Sequence, residues 1–291
     1  MKIVPGPASR ELGGRVASLV KAESVAVVTR TFTDGESYIR LDGEFNGENA
    51  VIVQSTGPPQ DTNLMVLSLM ASAAKRNGAA KTIAVVPYLA YARQDKVFLK
   101  GETISIETVA RMLGAIGVDE LLTVNVHEKA ALTRLPFTAR SVSAIPLLAE
   151  HFVQRGFGRA FALAPDKGAM YIADEAKAVL GGESDHLDKL RDRYTGQVRT
   201  EKKSLNVEGE TCIVFDDVIT AGDTIANAAR ILKDNGAKRI FAACVHPLLV
   251  GDAEKRILDA GVEEIVGTDS VSSRVSKVTL APLISRELGA N

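Results

Sequence analysis

Thr211-Cys212-Ile213-Val214-Phe215-Asp216-Asp217-Val218-Ile219-Thr220-Ala221-Gly222-Asp223-Thr224, followed by a helical pattern from Ile225, is the stretch that decides the fold. An apolar run suited to a buried strand comes first, and two acids stand where that strand is expected to end. A short loop of hydroxyls and glycine then opens a helix. The first N–H groups of such a helix lack intrahelical partners, and its dipole favours an anion. Those amides, with the hydroxyls of Thr220 and Thr224, suit a phosphate group, while carboxylates suit neighbouring sugar hydroxyls. Open parallel sheets bind ligands at the carboxyl ends of their strands, where this loop falls. Read as structure alone, the stretch is a capped turn with Asp216 and Asp217 as solvated acids.

Outward from this stretch, short apolar runs alternate with helix-length segments: residues 25–29, 50–54, 82–86, 121–126 and 161–164 before it, 240–246 and 264–267 after it. Runs apolar on both faces and separated by helices predict an α/β protein of parallel sheets flanked by helices. Residues 108–127 resemble residues 228–246, and Arg111/Arg230, Gly117/Gly236 and His127/His246 share one offset of 119 residues. Each copy reads as a helix, a Gly stop, a strand and a His at the strand's carboxyl end, which points to a duplicated unit. The boundary is expected in the irregular residues 141–146, before a helical run at 147–153. That gives domains 1–143 and 144–291, with the last residues expected to pack back on the first domain.

The chain has 291 residues, room for about two domains, and 35 Lys plus Arg against 36 Asp plus Glu. A formal charge of −1 lacks the basic excess of a protein that grips polynucleotide backbone, so no nucleic-acid partner is expected. Cys212 and Cys244 each lie in an apolar run and read as small buried residues in a reducing compartment, with no disulfide. No leader-like or membrane-length apolar segment stands out, so a cytoplasmic protein without a membrane partner is expected. Residues 183–203 carry eleven charges in 21 positions, too polar to supply a core element.

Other stretches carry candidate chemistry. In Thr31-Phe32-Thr33-Asp34-Gly35-Glu36, an exposed Phe32 can stack on a purine and a carboxylate can accept from its exocyclic amine; Asp34-Gly35 is equally a β-turn signal. After the run at 82–86, Tyr88-Leu89-Ala90-Tyr91-Ala92-Arg93-Gln94-Asp95-Lys96 offers cations for a polyphosphate and Gln94 and Asp95 for a purine or ribose edge, or else a solvated polar loop. Ala164-Pro165-Asp166-Lys167-Gly168-Ala169 ends another apolar run with a carboxylate or a plain Pro-Asp turn. Leu187-Asp188-Lys189-Leu190-Arg191 places Lys189 and Arg191 on one face of a strand, or in a solvated hairpin.

The 211–224 stretch resembles the phosphoribosyl-diphosphate loop of type I phosphoribosyltransferase folds. With the Phe32–Glu36, Tyr88–Lys96, Asp166 and Lys189-x-Arg191 motifs in the same order, the whole chain is similar to the ribose-phosphate diphosphokinases, or phosphoribosyl-diphosphate synthetases, of archaeal type. The resemblance implies two tandem type I phosphoribosyltransferase-like domains with the substrate cleft between them. It implies transfer of the diphosphoryl group of ATP to the 1-hydroxyl of ribose 5-phosphate, with Mg²⁺ as cofactor. Phe32, Asp34, Gly35, Glu36, Arg93, Gln94 and Asp95 would then bind ATP. Arg191, Asp216, Asp217, Thr220, Ala221, Gly222, Asp223 and Thr224 would bind ribose 5-phosphate. Lys189 and Arg191 would be catalytic, His127 and Asp166 metal-associated, and the chain a homo-oligomer built from dimers. Departures stand at Asn125, where many relatives have Asp, at Ala169 for Gly and at Ala221 for Thr. The alternatives are an orotate-type phosphoribosyltransferase, to which the 216–222 run also fits, and a non-catalytic synthetase-associated protein.

Overall fold

The computed structural model describes residues 1–191, 198–200 and 204–289, with backbone alone at 189–191 and 198–200. It divides into two compact units, Met1–Ser143 with Ser270–Ser272 and Thr279–Asn291, and Ala144–Asp269 with Ser273–Val278.

The first unit contains β1 (Lys2–Pro5), α1 (Arg10–Leu19), β2 (Ala26–Thr31), β3 (Ser37–Asp42), β4 (Ala50–Val53), α2 (Gln60–Arg76), β5 (Thr82–Val86), α3 (Ser105–Ala115), β6 (Glu120–Val124) and β7 (Thr138–Val142). Five of these strands form an all-parallel sheet in the order β1-β4-β5-β6-β7. All four residues of β4 are buried, as a strand covered on both faces requires. Leu67 and Met70 of α2 and Ile106 and Leu113 of α3 share one apolar cluster with β4–β6.

The second unit contains α4 (Ile145–Gln154), β8 (Phe161–Ala164), α5 (Met170–Leu180), β9 (Ser184–His186), β10 (Lys189–Arg191), β11 (Val198–Thr200), β12 (Thr211–Ile219), α6 (Asp223–Asp234), β13 (Arg239–Pro247), α7 (Ala253–Asp259), β14 (Glu264–Thr268) and β15 (Ser276–Val278). Its parallel sheet runs β15-β14-β13-β12-β8-β9. One sheet face meets α6 through Ile225, Ala229 and Leu232; on the other, Phe152 packs 5.5 Å from Phe241 and 6.4 Å from Phe215, centroid to centroid. The closing helix α8 (Ala281–Glu287) packs on α1 and so belongs to the first unit. Each unit is thus a parallel sheet with covering helices, as the periodicity predicts.

Four local expectations are corrected. The run at 25–29 lies outside the parallel sheet: β2 pairs antiparallel with β3 in a two-stranded ribbon. Thr29, Arg30 and Thr31 are polar and the strand is mostly exposed, so it cannot be sandwiched between helices. Residues 138–142, expected to be partly irregular, form β7, an edge strand whose alternating polar residues hide the strand signal. The charged segment 183–203 does supply a core element, because β9 adds to the sheet edge beside β8 and Leu187 is fully buried. Finally, β12 does not stop at Phe215 but continues to Ile219, pairing Val218 with His246 and Ile219 with Pro247. Asp216 and Asp217 are therefore strand residues, Asp217 almost wholly buried and Asp216 half-buried.

The repeat appears as α3-Gly117-β6 and α6-Gly236-β13, with both glycines at left-handed φ, +99° and +82°. The two histidines diverge. His127 is exposed beyond the end of β6, whereas His246 is buried within β13. Cys212 and Cys244 are both free thiols; burial pushes Cys212 up to about 12 and Cys244 higher still. No helix among the described residues is long and apolar enough to cross a membrane.

Candidate active site

The loop from β12 into α6 is built by three constraints. Leu249 and Val250 donate backbone N–H groups to Ile219 and Thr220, at 3.1 and 3.0 Å, which pins the loop to the chain leaving β13. Gly222, the N-cap of α6, has φ +83°, and a Cβ there would stand 3.0 Å from the Ala253 carbonyl oxygen and from Ile257 Cδ1. Both conformation and space therefore demand glycine. Arg256 donates to the Ala221 carbonyl and approaches Asp223 Oδ1 at 3.4 Å, tying α7 to the loop.

Between these supports lies a cavity of about 110 Å³ lined by Asp216, Val218, Ile219 and residues 220–225. Drug-sized ligands occupy roughly 300–1,000 Å³, so this hollow is too small to enclose one. The free amides of the first turn of α6 border it, and Asp216 supplies the carboxylate at its strand side. Asp216 Oδ1 accepts from the Asp217 N–H at 2.9 Å.

Strand order brings further candidates to the same sheet edge. β8 neighbours β12 with Leu163 opposite Val214, so Asp166, two residues beyond β8, follows at the carboxyl edge beside the acids of β12. Asp166 caps the short turn Lys167–Ala169, accepting from Ala169 N–H at 3.2 Å. β9 pairs His186 with Ala164, so the chain to Lys189 leaves from this edge too. Lys189 and Arg191 sit at positions i and i+2 of β10, opposite Thr200 and Val198 of β11; their side chains lie outside the described residues.

In the first unit, β5 and β6 are neighbours with Val86 opposite Thr123, which places the Tyr88–Lys96 loop and His127 along one carboxyl edge. Arg93 is exposed; Gln94 accepts from Ser105 Oγ at 2.5 Å, and the Asp95 carbonyl accepts from Arg134 at 2.7 Å. Asn125 is buried with φ +38°, and its N–H donates to Val142 at 2.9 Å. It therefore serves the backbone turn that leads to His127. The β2–β3 tip is a tight turn in which Asp34 Oδ1 accepts from Glu36 N–H at 3.2 Å and Gly35 N–H donates to the Phe32 carbonyl at 2.9 Å. That turn displays Phe32, 52% exposed and edge-on to Tyr38. The turn is what holds the ring in solvent. The ribbon stands outside the five-stranded sheet, so sheet order alone does not bring Phe32 to the His127 edge.

Residues 1–117 match the family model of the N-terminal domain of ribose phosphate pyrophosphokinase, and residues 196–284 match that of the phosphoribosyl synthetase-associated domain. The chain is 44% identical to the ribose-phosphate pyrophosphokinase of Methanothermobacter thermautotrophicus, over 97% of this chain and 98% of that one. The chain belongs to the ribose-phosphate pyrophosphokinase family. The Methanobrevibacter smithii member is 38% identical over 98% of this chain and 99% of its own. The solved phosphoribosylpyrophosphate synthetase of Mycobacterium smegmatis superposes with a TM-score of 0.87 at 28% identity, covering 99% of this chain and 97% of that one. Membership in the pyrophosphokinase family makes the chain an enzyme, a transferase, and its architecture that of two tandem phosphoribosyltransferase-like domains.

Proposed function

We propose that the chain transfers the β,γ-diphosphoryl group of ATP to the 1-hydroxyl of ribose 5-phosphate, yielding 5-phosphoribosyl 1-diphosphate and AMP. The anomeric oxygen attacks the β-phosphorus, the bond from that phosphorus to the α,β-bridging oxygen breaks, AMP departs with that oxygen, and the hydroxyl proton is released. The observation that carries the reading is the small hollow at Asp216 and Thr220–Thr224, on the same sheet edge as Asp166 and the strand leading to Lys189.

Phosphoryl-type transfer asks the protein for alignment and charge neutralisation rather than a covalent nucleophile. The first-turn amides of α6 with Thr220 and Thr224 would hold the 5-phosphate, and Asp216 and Asp217 the ribose hydroxyls. Phe32, Asp34 and Glu36 would hold the purine, and Arg93, Gln94 and Asp95 the rest of ATP. Lys189 and Arg191 would neutralise charge on the bridging oxygen and the moving phosphates.

Among the described residues no group of three or more His, Cys, Asp or Glu side chains could hold a metal ion. A single carboxylate such as Asp166, the N-cap of its short turn, is a hard oxygen donor of the kind magnesium takes alongside waters and phosphate oxygens. By the family resemblance, Asp166 of the second unit and His127 of the first are each residues that would associate with magnesium, the histidine directly or through water. Magnesium bound there would screen the phosphate charges during transfer. The family resemblance supports a homo-oligomer built from dimers and a cytoplasmic enzyme.

One assay tests this reading. With ATP, ribose 5-phosphate and Mg²⁺ the chain is expected to form AMP and phosphoribosyl diphosphate in equal amounts, and chelating the metal is expected to abolish both. Nucleotide binding without AMP formation would overturn it.

A further inference from the structure

The first sheet ends β4 on a polar triplet, Gln54-Ser55-Thr56, in which all three side chains are buried. Such residues at the close of an all-apolar strand need partners, since a buried unpaired hydroxyl costs free energy. Gln54 accepts from Ala8 N–H at 3.1 Å and donates to Asn63 Oδ1 at 3.4 Å, while Ser55 and Thr56 meet the segment that follows β5. Beyond Val86 the β5 strand meets Pro87, which has no N–H to continue the ladder. The Thr56 N–H still donates to the Tyr88 carbonyl at 2.9 Å, and side-chain hydroxyls add to that bond. Ser55 Oγ accepts from Tyr88 N–H at 3.1 Å and donates to the Ser270 carbonyl. Thr56 uses both halves of its hydroxyl, donating to the Tyr88 carbonyl at 3.0 Å and accepting from Ala90 N–H at 2.8 Å.

Thr56 therefore fixes the turn Tyr88–Ala90 in both directions. The next residue, Tyr91, holds a left-handed φ of +67°, unfavourable for a bulky side chain, and its hydroxyl is tied to Asp61. Two residues later comes Arg93. The loop with Arg93, Gln94 and Asp95 thus starts from a root to which the Thr56 hydroxyl, 1% exposed, contributes two bonds, one of them the acceptor for the Ala90 N–H.

We propose that Thr56 is a positioning residue for the nucleotide: its hydroxyl sets the root of the Tyr88–Lys96 loop, so affinity for ATP depends on it and affinity for ribose 5-phosphate does not. This rests on the assignment of Arg93–Asp95 to ATP. Thr56→Val keeps the shape and removes both bonds, leaving the Ala90 N–H without that acceptor. The expected result is a KM for ATP raised roughly tenfold, the effect of losing a buried hydrogen bond, with the KM for ribose 5-phosphate within about twofold and near-normal ATP affinity restored in Thr56→Ser. An equal rise in both KM values, no rise in either, or a serine variant as weak as valine would overturn the proposal. If the valine chain does not fold, Thr56→Ala removes the same bonds with less bulk and is expected to show the same split. Direct titration with Mg·ATP separates the two layers. A wild-type chain that binds ATP with this Thr56 dependence but forms no AMP upholds Thr56 and overturns the reaction; AMP formation without the split does the reverse.

Discussion

Lys189→Ala is expected to lower kcat by at least about 100-fold, or ~2.7 kcal/mol, while leaving the thermal midpoint nearly unchanged. A single preorganised cation or donor aimed at charge that develops in the transition state is worth that much, because it acts where water is excluded and needs no reorganisation. Stability is spared for a separate reason. Among the described residues β10 pairs with β11 alone, in a two-stranded ribbon outside the six-stranded core sheet, so little loss of stability is expected. KM for both substrates should move little, since a contact strengthened only in the transition state appears in kcat and kcat/KM together. Lys189→Arg restores charge but not the compact, rotatable ammonium, and is expected to recover part of the loss. Near-normal turnover in the alanine variant would remove Lys189 from its catalytic role.

Asp216→Ala is the other large effect, and its signature is different. A carboxylate that accepts from two sugar hydroxyls contributes charge-assisted bonds of about 1.5 kcal/mol or more each, so the KM for ribose 5-phosphate should rise on the order of 100-fold. The KM for ATP should stay within about threefold. The half-buried carboxylate also accepts from Asp217 N–H at 2.9 Å, so a modest drop in thermal midpoint accompanies the change. Steady-state kinetics with each substrate varied in turn distinguishes the cases. A parallel rise for both substrates would mean that Asp216 supports the loop rather than the sugar.

Both parallel sheets are legible in the sequence because their central strands are apolar on both faces, a pattern that local composition cannot disguise. The strands that escape it, Lys2–Pro5, Thr138–Val142, Ser184–His186 and Ser276–Val278, are short or lie at sheet edges, where polar residues are tolerated. The run at 25–29 reads locally as a strand of the parallel sheet, although Asp34-Gly35 signals a reversal and Thr29-Arg30-Thr31 breaks the apolar run. The β12–α6 loop is readable because everything that shapes it is close in sequence: apolar strand, glycine at the cap, hydroxyls in the first turn. Even so, the strand's extension to Ile219 depends on pairing with His246 and Pro247, about thirty residues away, which no local reading supplies. Thr56 illustrates the same limit. Its hydroxyl meets Tyr88 and Ala90 across 32 and 34 residues, so its only sequence trace is a polar triplet closing an apolar strand.

The central claim is that a diphosphoryl group moves as one piece onto the anomeric oxygen. Incubating the chain with ribose 5-phosphate, Mg²⁺ and ATP labelled at the γ-phosphate tests it most directly. The predicted result is label in phosphoribosyl diphosphate, with unlabelled AMP as the co-product. Label released as inorganic phosphate with ADP left behind, or none transferred to the sugar, would contradict it.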